Sequence, residues 1–199
     1  MKNEEEVKDE ILAAARELIQ QYGIDKTTMR DVARVASKGK STLYYYFKNK
    51  EEIFDAVIRD EHDELYLKVK KAVDSEDTME EKLKTYLISK ITTLVQKRKQ
   101  YAFLIENESH HFNIKNFFTL SFEVNGEREL AFIRSILLDG AKNEGYNFDI
   151  SGVIGIDVLS DAFMTYLRGV EIEVSLNRGF ESINEKADLM VKILLKGLK

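Results

Sequence analysis

Residues Thr27 to Lys50 read TTMRDVARVASKGKSTLYYYFKNK. Thr28 and Asp31 stand three apart, the spacing of a helix-capping box with Asp in place of Glu, so a helix begins here. Met29, Val32, Ala33 and Ala36 form its inward side. After the short break Ser37-Lys38-Gly39, a second helix spans about Lys40 to Phe47. Leu43 and Phe47, four apart, share its core face and leave Thr42, Tyr44, Tyr45 and Tyr46 to other faces. Arg30, Arg34, Lys38, Lys40, Lys48 and Lys50 face a single acid, Asp31, in a chain of formal net charge -5. A compact basic two-helix unit in an acidic chain is a local device, and it suits a grip on DNA.

The residues on either side extend the helical pattern. Upstream, Val7, Ile11, Ala15, Leu18, Ile19 and Tyr22 form an amphipathic stripe that Gly23 ends. Downstream, Ile53, Phe54, Val57, Leu65, Val69 and Val73 carry a long helix to the polar break at residues 74–77. Further helices are predicted over residues 78–97, 101–112 and 114–143, with Gly126 as a weak point in the last. After a turn at residues 145–148, two more are predicted near 150–177 and 183–198. The helix near 150–177 is apolar on more than one side and needs more than one partner surface, so the last two helices suggest pairing with a second copy of the chain. The expected fold is all-α, with about nine helices.

Composition removes several other classes. The chain has no cysteine, which excludes disulfides, thiolate metal sites and cysteine nucleophiles. It has no proline, which permits long uninterrupted helices. The N-terminus MKNEEEVKDE is too polar for a signal peptide, and no run approaches the roughly 18 apolar residues that span a membrane. A cytoplasmic location, without membrane association, is expected.

The chemistry of the basic unit assigns roles. Lys40, Ser41 and Thr42 open the second short helix, where the first residues of a groove-bound helix reach bases and phosphates. Tyr44 and Tyr45 offer hydroxyls to phosphates and rings to sugars or thymine methyls. Thr27 and Thr28 stand at a helix N-terminus, whose free N–H groups favour an anion.

Residues 11 to 57 resemble the TetR family of bacterial transcriptional regulators. The family pattern, glycine then an aromatic or apolar residue and a Thr-[Ser/Thr] pair ahead of [Ile/Val]-Ala, is matched from Gly23 to Ala33. Its second half, T-L-Y-x-(Y or H)-F-x-x-K-[ED], is matched from Thr42 to Glu51 without insertion. The resemblance implies an N-terminal helix-turn-helix domain over 1–49 and an effector-binding and dimerisation domain over 50–199. It makes Lys50 a phosphate contact and adds Tyr46, and Arg30 and Lys38 complete the candidate DNA-binding set. Three positions of the turn depart from the family. Ser37-Lys38 replaces the usual Gly-Val of the turn, and Gly39 stands where relatives often have a capping serine. Ser41 replaces a fourth usual residue, a glycine beside Thr42.

The resemblance also implies a small-molecule effector, apolar or amphipathic, in a cavity among the central aromatic residues. Tyr66, Phe103, Phe118, Phe122, Phe163 and Tyr166 are the candidate walls, with Asn107 and His110 as polar groups. The expected protein is a repressor that binds a near-palindromic operator as a dimer and is released by its effector, without enzymatic activity, cofactor or bound metal. The alternative from another class is a helical-bundle metal-binding protein or enzyme. It starts from Glu108-x-x-His111, half of a carboxylate-bridged di-iron motif. A regulator without an effector is the third reading.

Overall fold

A computed structural model describes residues 3–100, 114–148, 155–175 and 183–196. All regular structure among them is helical: α1 (Glu4–Tyr22), α2 (Met29–Val35), α3 (Lys40–Tyr46), α4 (Lys50–Asp74), α5 (Met79–Gln100), α6 (Ile114–Asn143), α7 (Ile156–Ser175) and α8 (Ile183–Leu195). The helix expected over residues 101–112 lies outside the described residues. The chain divides into two units, Met1–Asp63 with Arg98–Val124, and Glu64–Lys97 with Asn125–Lys199. None of the described helices is long and apolar enough to cross a membrane.

In the first unit, α1 opens with a complete capping box, in which the Asn3 side chain accepts from the first turn and Glu6 reaches back to the Asn3 N–H. It closes at Gly23, whose N–H donates to the Ile19 carbonyl and whose φ of 82° with ψ of 162° is open essentially to glycine alone. The apolar stripe of α1 meets Val32 and Ala33 of α2, Leu43 and Phe47 at α3, and Ile53 and Val57 of α4 in one core. Arg16 adds a polar tie by pairing with Asp60 and, at 3.1 Å, with the buried Glu61 of α4.

The second unit buries Leu83, Leu87 and Ile91 of α5, Ile133 and Leu137 of α6, and Phe163 and Leu167 of α7. Its interior also holds a charge cluster. Lys90 donates to Glu129 and lies 3.4 Å from Glu171, with its ammonium over the Tyr86 ring. Burial opposes the charge on Lys90, but Glu171, Tyr86 and Glu129 outweigh it and leave the ammonium raised above its ordinary value. Burial pushes the Glu171 carboxyl up.

Several expected boundaries shift. The helix expected near 150–177 is described as Ile156–Ser175, and Gly155, which lies outside it, supplies the carbonyl that accepts from Leu159. The last helix stops at Leu195 where 198 was expected. No weak point appears at Gly126, which is buried inside an unbroken α6. Phe47 is extended (φ -140°, ψ 127°), so α3 ends one residue earlier than expected.

Candidate nucleic-acid interface

The interface is built on α2, the turn and α3. Thr28 caps α2, its hydroxyl accepting from the Asp31 N–H at 3.2 Å and donating to the Asp31 carboxylate at 2.5 Å. That hydrogen bond, with Arg34 beside it at 3.5 Å, holds the Asp31 carboxyl below its usual range. The helix then ends in a Schellman motif: Lys38 N–H donates to the Ala33 carbonyl and Ser37 N–H to the Arg34 carbonyl. The motif requires a left-handed residue, and Ser37 supplies it with φ of 53°. The turn therefore keeps its helix-turn-helix geometry without the usual glycine, at the steric expense of a side chain in that conformation. Gly39 starts α3 with no side-chain capping bond.

Leu43, fully buried, and Phe47 anchor α3 to the core, which leaves Lys40, Ser41, Tyr44 and Tyr45 exposed and Thr42 and Tyr46 half-buried. The Lys40 ammonium lies 5.7 Å from the Tyr44 ring centre, and the Tyr45 and Tyr46 rings meet edge-on at 5.0 Å. Thr28 and Arg30 are exposed on the same unit. Lys50, at the start of α4, donates to the Ile24 carbonyl at 3.1 Å. The remaining ammonium protons keep their capacity for an anion.

Thr27, placed with Thr28 at the helix start as an anion-binding candidate, is 4% exposed and its hydroxyl donates to the Gly23 carbonyl at 2.7 Å. It closes the loop between α1 and α2. The second finding is acidic. Lys38 pairs with Glu10 at 2.6 Å, and the Tyr45 hydroxyl donates to Glu4 at 3.2 Å. Both carboxylates come from α1, and no pattern within residues 27–50 signals them.

Of the effector candidates, Phe163 is fully buried with its ring 6.1 Å from that of Tyr86, while Tyr66 and Tyr166 are half-buried. Tyr66 meets the Phe132 ring edge-on, and the Arg128 guanidinium covers its face at 3.8 Å. Phe103, Asn107 and His110 lie outside the described residues, as do the side chains of Phe118 and Phe122 and the pair Glu108 and His111.

A capped helix, a left-handed turn and a second helix that offers lysine, hydroxyl and tyrosine groups while a leucine and a phenylalanine hold it to the core define a helix-turn-helix DNA-binding module. The family model of bacterial regulatory proteins of the tetR family matches residues 11–57. The HTH-type transcriptional regulator YhgD of Bacillus subtilis is 31% identical over 134 residues, 67% of this chain and 68% of that one. The HTH-type transcriptional repressor KstR2 of Rhodococcus jostii is 27% identical over 164 residues, 80% of this chain and 77% of that one. The fold is shared with the regulator FadR of Bacillus subtilis in complex with stearoyl-CoA, at a TM-score of 0.61 and 18% identity over 96% of this chain and 98% of that one. The chain belongs to the TetR family of bacterial regulatory proteins, and it is a DNA-binding transcriptional regulator.

Proposed function

We propose that the chain is a homodimeric, effector-released repressor that reads a near-palindromic operator with α3. The observation that carries this reading is the presentation of α3: Leu43 and Phe47 are buried while Lys40, Ser41, Tyr44 and Tyr45 stand exposed together. In this reading Lys40, Ser41 and Thr42 meet base edges. Thr28, Arg30, Lys38, Tyr44, Tyr45, Tyr46 and Lys50 meet phosphates and sugars. Residues 1–49 carry DNA binding, and 50–199 carry effector and partner. Since Ile53 and Val57 of α4 belong to the first core, that division is one of role and not of packing.

Dimerisation is supported by α7 and α8. Each has a buried apolar side, with Phe163 and Leu167 on one and Ala187 and Val191 on the other. Each also exposes large apolar groups, Val158 and Ile172 on α7 and Leu189 and Ile193 on α8. Val158 and Ile172 are two heptads apart and Leu189 and Ile193 one turn apart, so each pair lies on a continuous face. These faces would pair as a four-helix bundle, and reading two half-sites one DNA turn apart requires the two copies of α3 to lie about 34–36 Å apart.

The effector in this reading is apolar or amphipathic and lies among the aromatic groups of the second unit, between α4 and α7. The repressor name of the Rhodococcus relative and the stearoyl-CoA held by the Bacillus FadR support the action and the ligand class. Release requires the effector to favour the conformation that does not bind DNA, since equal affinity shifts nothing. Selection of bound duplexes from a random pool tests the reading. An inverted repeat with half-sites one turn apart is expected, and absence of any enriched sequence would sink it.

A further inference from the structure

Two groups of the proposed DNA-binding face are already occupied by the protein's own carboxylates: Lys38 by Glu10 at 2.6 Å and the Tyr45 hydroxyl by Glu4 at 3.2 Å. We infer that α1 carries an intramolecular competitor for DNA, in which Glu4 and Glu10 hold Tyr45 and Lys38 against capture by phosphate. The inference rests on the assignment of Lys38 and Tyr45 as phosphate contacts.

The chemistry of the two pairs supports competition. A carboxylate and a phosphate offer the same anionic oxygen acceptors, and an ammonium or a phenol proton engaged by one must leave it to reach the other. Lys38 is only 17% exposed at its side chain, so Glu10 holds it in a settled place rather than meeting it by chance on a mobile surface. Tyr45 is 71% exposed, so Glu4 is the principal polar partner of an otherwise solvent-facing ring. The charge of Glu4 also pushes the phenol up, which keeps its proton available as a donor.

The placement matters as well as the pairing. The two acids come from the start and the middle of α1 and reach the end of α3 and the turn before it. They place a carboxylate at each end of α3, against the two groups assigned to phosphate contact. Displacing them is part of binding, so affinity is set below what the basic groups alone would reach. Glu5, equally close to the chain's start, is exposed and its backbone N–H donates to the Asn3 cap, so it serves as a control for a general field effect.

The test is a binding titration of the full chain and its variants on a duplex that the wild-type chain selects from a random pool. Glu4→Gln and Glu10→Gln should each tighten binding roughly two- to fivefold, the range that exposed ion pairs support. The gain from Glu10→Gln should vanish when Lys38 is already Met, and that from Glu4→Gln when Tyr45 is already Phe, which is the signature of pairwise coupling. Glu5→Gln should change affinity by less than either. No gain, a gain that persists without Lys38 or Tyr45, or an equal gain at Glu5 overturns the inference. A wild-type chain that selects no duplex at all would overturn the DNA-reading assignment beneath it, an outcome visible before any variant is made.

Discussion

The Lys50 ammonium donates to the Ile24 carbonyl at 3.1 Å, tying the first residue of α4 to the loop that precedes α2. One side chain thus ties the start of α4 to the α1–α2 loop while its other protons remain available to a phosphate. Lys50→Ala is expected to weaken binding to all duplex sequences alike and to lower the salt slope of binding by about one unit. Loss of the tether should also cost about 1 kcal/mol of stability. Titration at several salt concentrations and a urea melt check both, and a variant with normal DNA affinity removes Lys50 from the contact set.

The turn can be relieved. Ser37 holds φ of 53°, a region in which a side chain crowds the backbone and glycine does not. Ser37→Gly should therefore stabilise the chain by ~0.5–1 kcal/mol, after glycine's larger loss of freedom on folding is subtracted. At Gly39 an added Cβ would meet only Ser41 Oγ and Thr42 Oγ1 at 3.7 Å, ordinary contact. Gly39→Ser should add a cap to α3 and a few tenths of a kcal/mol more. Chemical denaturation reads both, and destabilisation by Ser37→Gly would show that the serine side chain is needed.

Lys90 in the second unit places its ammonium against Glu129 and Glu171 in a buried place. Lys90→Met should cost about 3–5 kcal/mol, since it removes the ammonium that Glu129 and Glu171 meet in a buried place. If Glu129 and Glu171 are also made Gln, much of that loss should return in the same denaturation experiment.

Glu171 should leave a signature in pH. Its folded carboxyl is raised above the ordinary 4.5 by burial, so between the unfolded and folded values the folded chain holds a proton there that the unfolded chain has lost. The associated stability is full below the ordinary value and is lost as pH rises through the folded one. As pH rises above 4.5 the wild-type chain should therefore lose stability relative to Glu171→Gln until the folded carboxyl itself ionises. Parallel stability profiles for the two proteins would show that Glu171 ionises in the folded state as it does in the unfolded one.

Leu189 and Ile193 are 60% and 62% exposed on α8, so their replacement should spare the fold of the single chain. The double substitution Leu189→Glu with Ile193→Glu should yield a folded monomer in sedimentation and abolish tight binding to a two-half-site duplex. A variant that remains dimeric would place the interface elsewhere.

The helical fold and most of the reading unit were legible in the sequence because both depend on neighbours a few residues apart. Leu43 and Phe47 are core because they are four apart, and Thr28 caps α2 because Asp31 follows three later. The left-handed conformation at Ser37 was not legible, because a serine in place of the usual glycine left the turn's geometry open. The burial of Thr27 was not legible, because a threonine beside a helix start is polar in sequence and only its packing against the Gly23 carbonyl buries it.

By itself, then, the sequence determined that the chain is helical, where α1 to α3 lie, and which side of α3 meets the core. These follow from periodicity and capping, which act within one or two helical turns. The tertiary structure alone decided the charge of the face that α3 presents. Residues 27–50 are strongly basic when read along the chain. Folding brings Glu10 to Lys38 and Glu4 to Tyr45, the latter pair separated by 41 positions. It likewise made Lys90 an interior ion by setting it against Glu129, 39 residues on. Charge acts through distance in space, and helical periodicity fixes distance only between near neighbours in the chain.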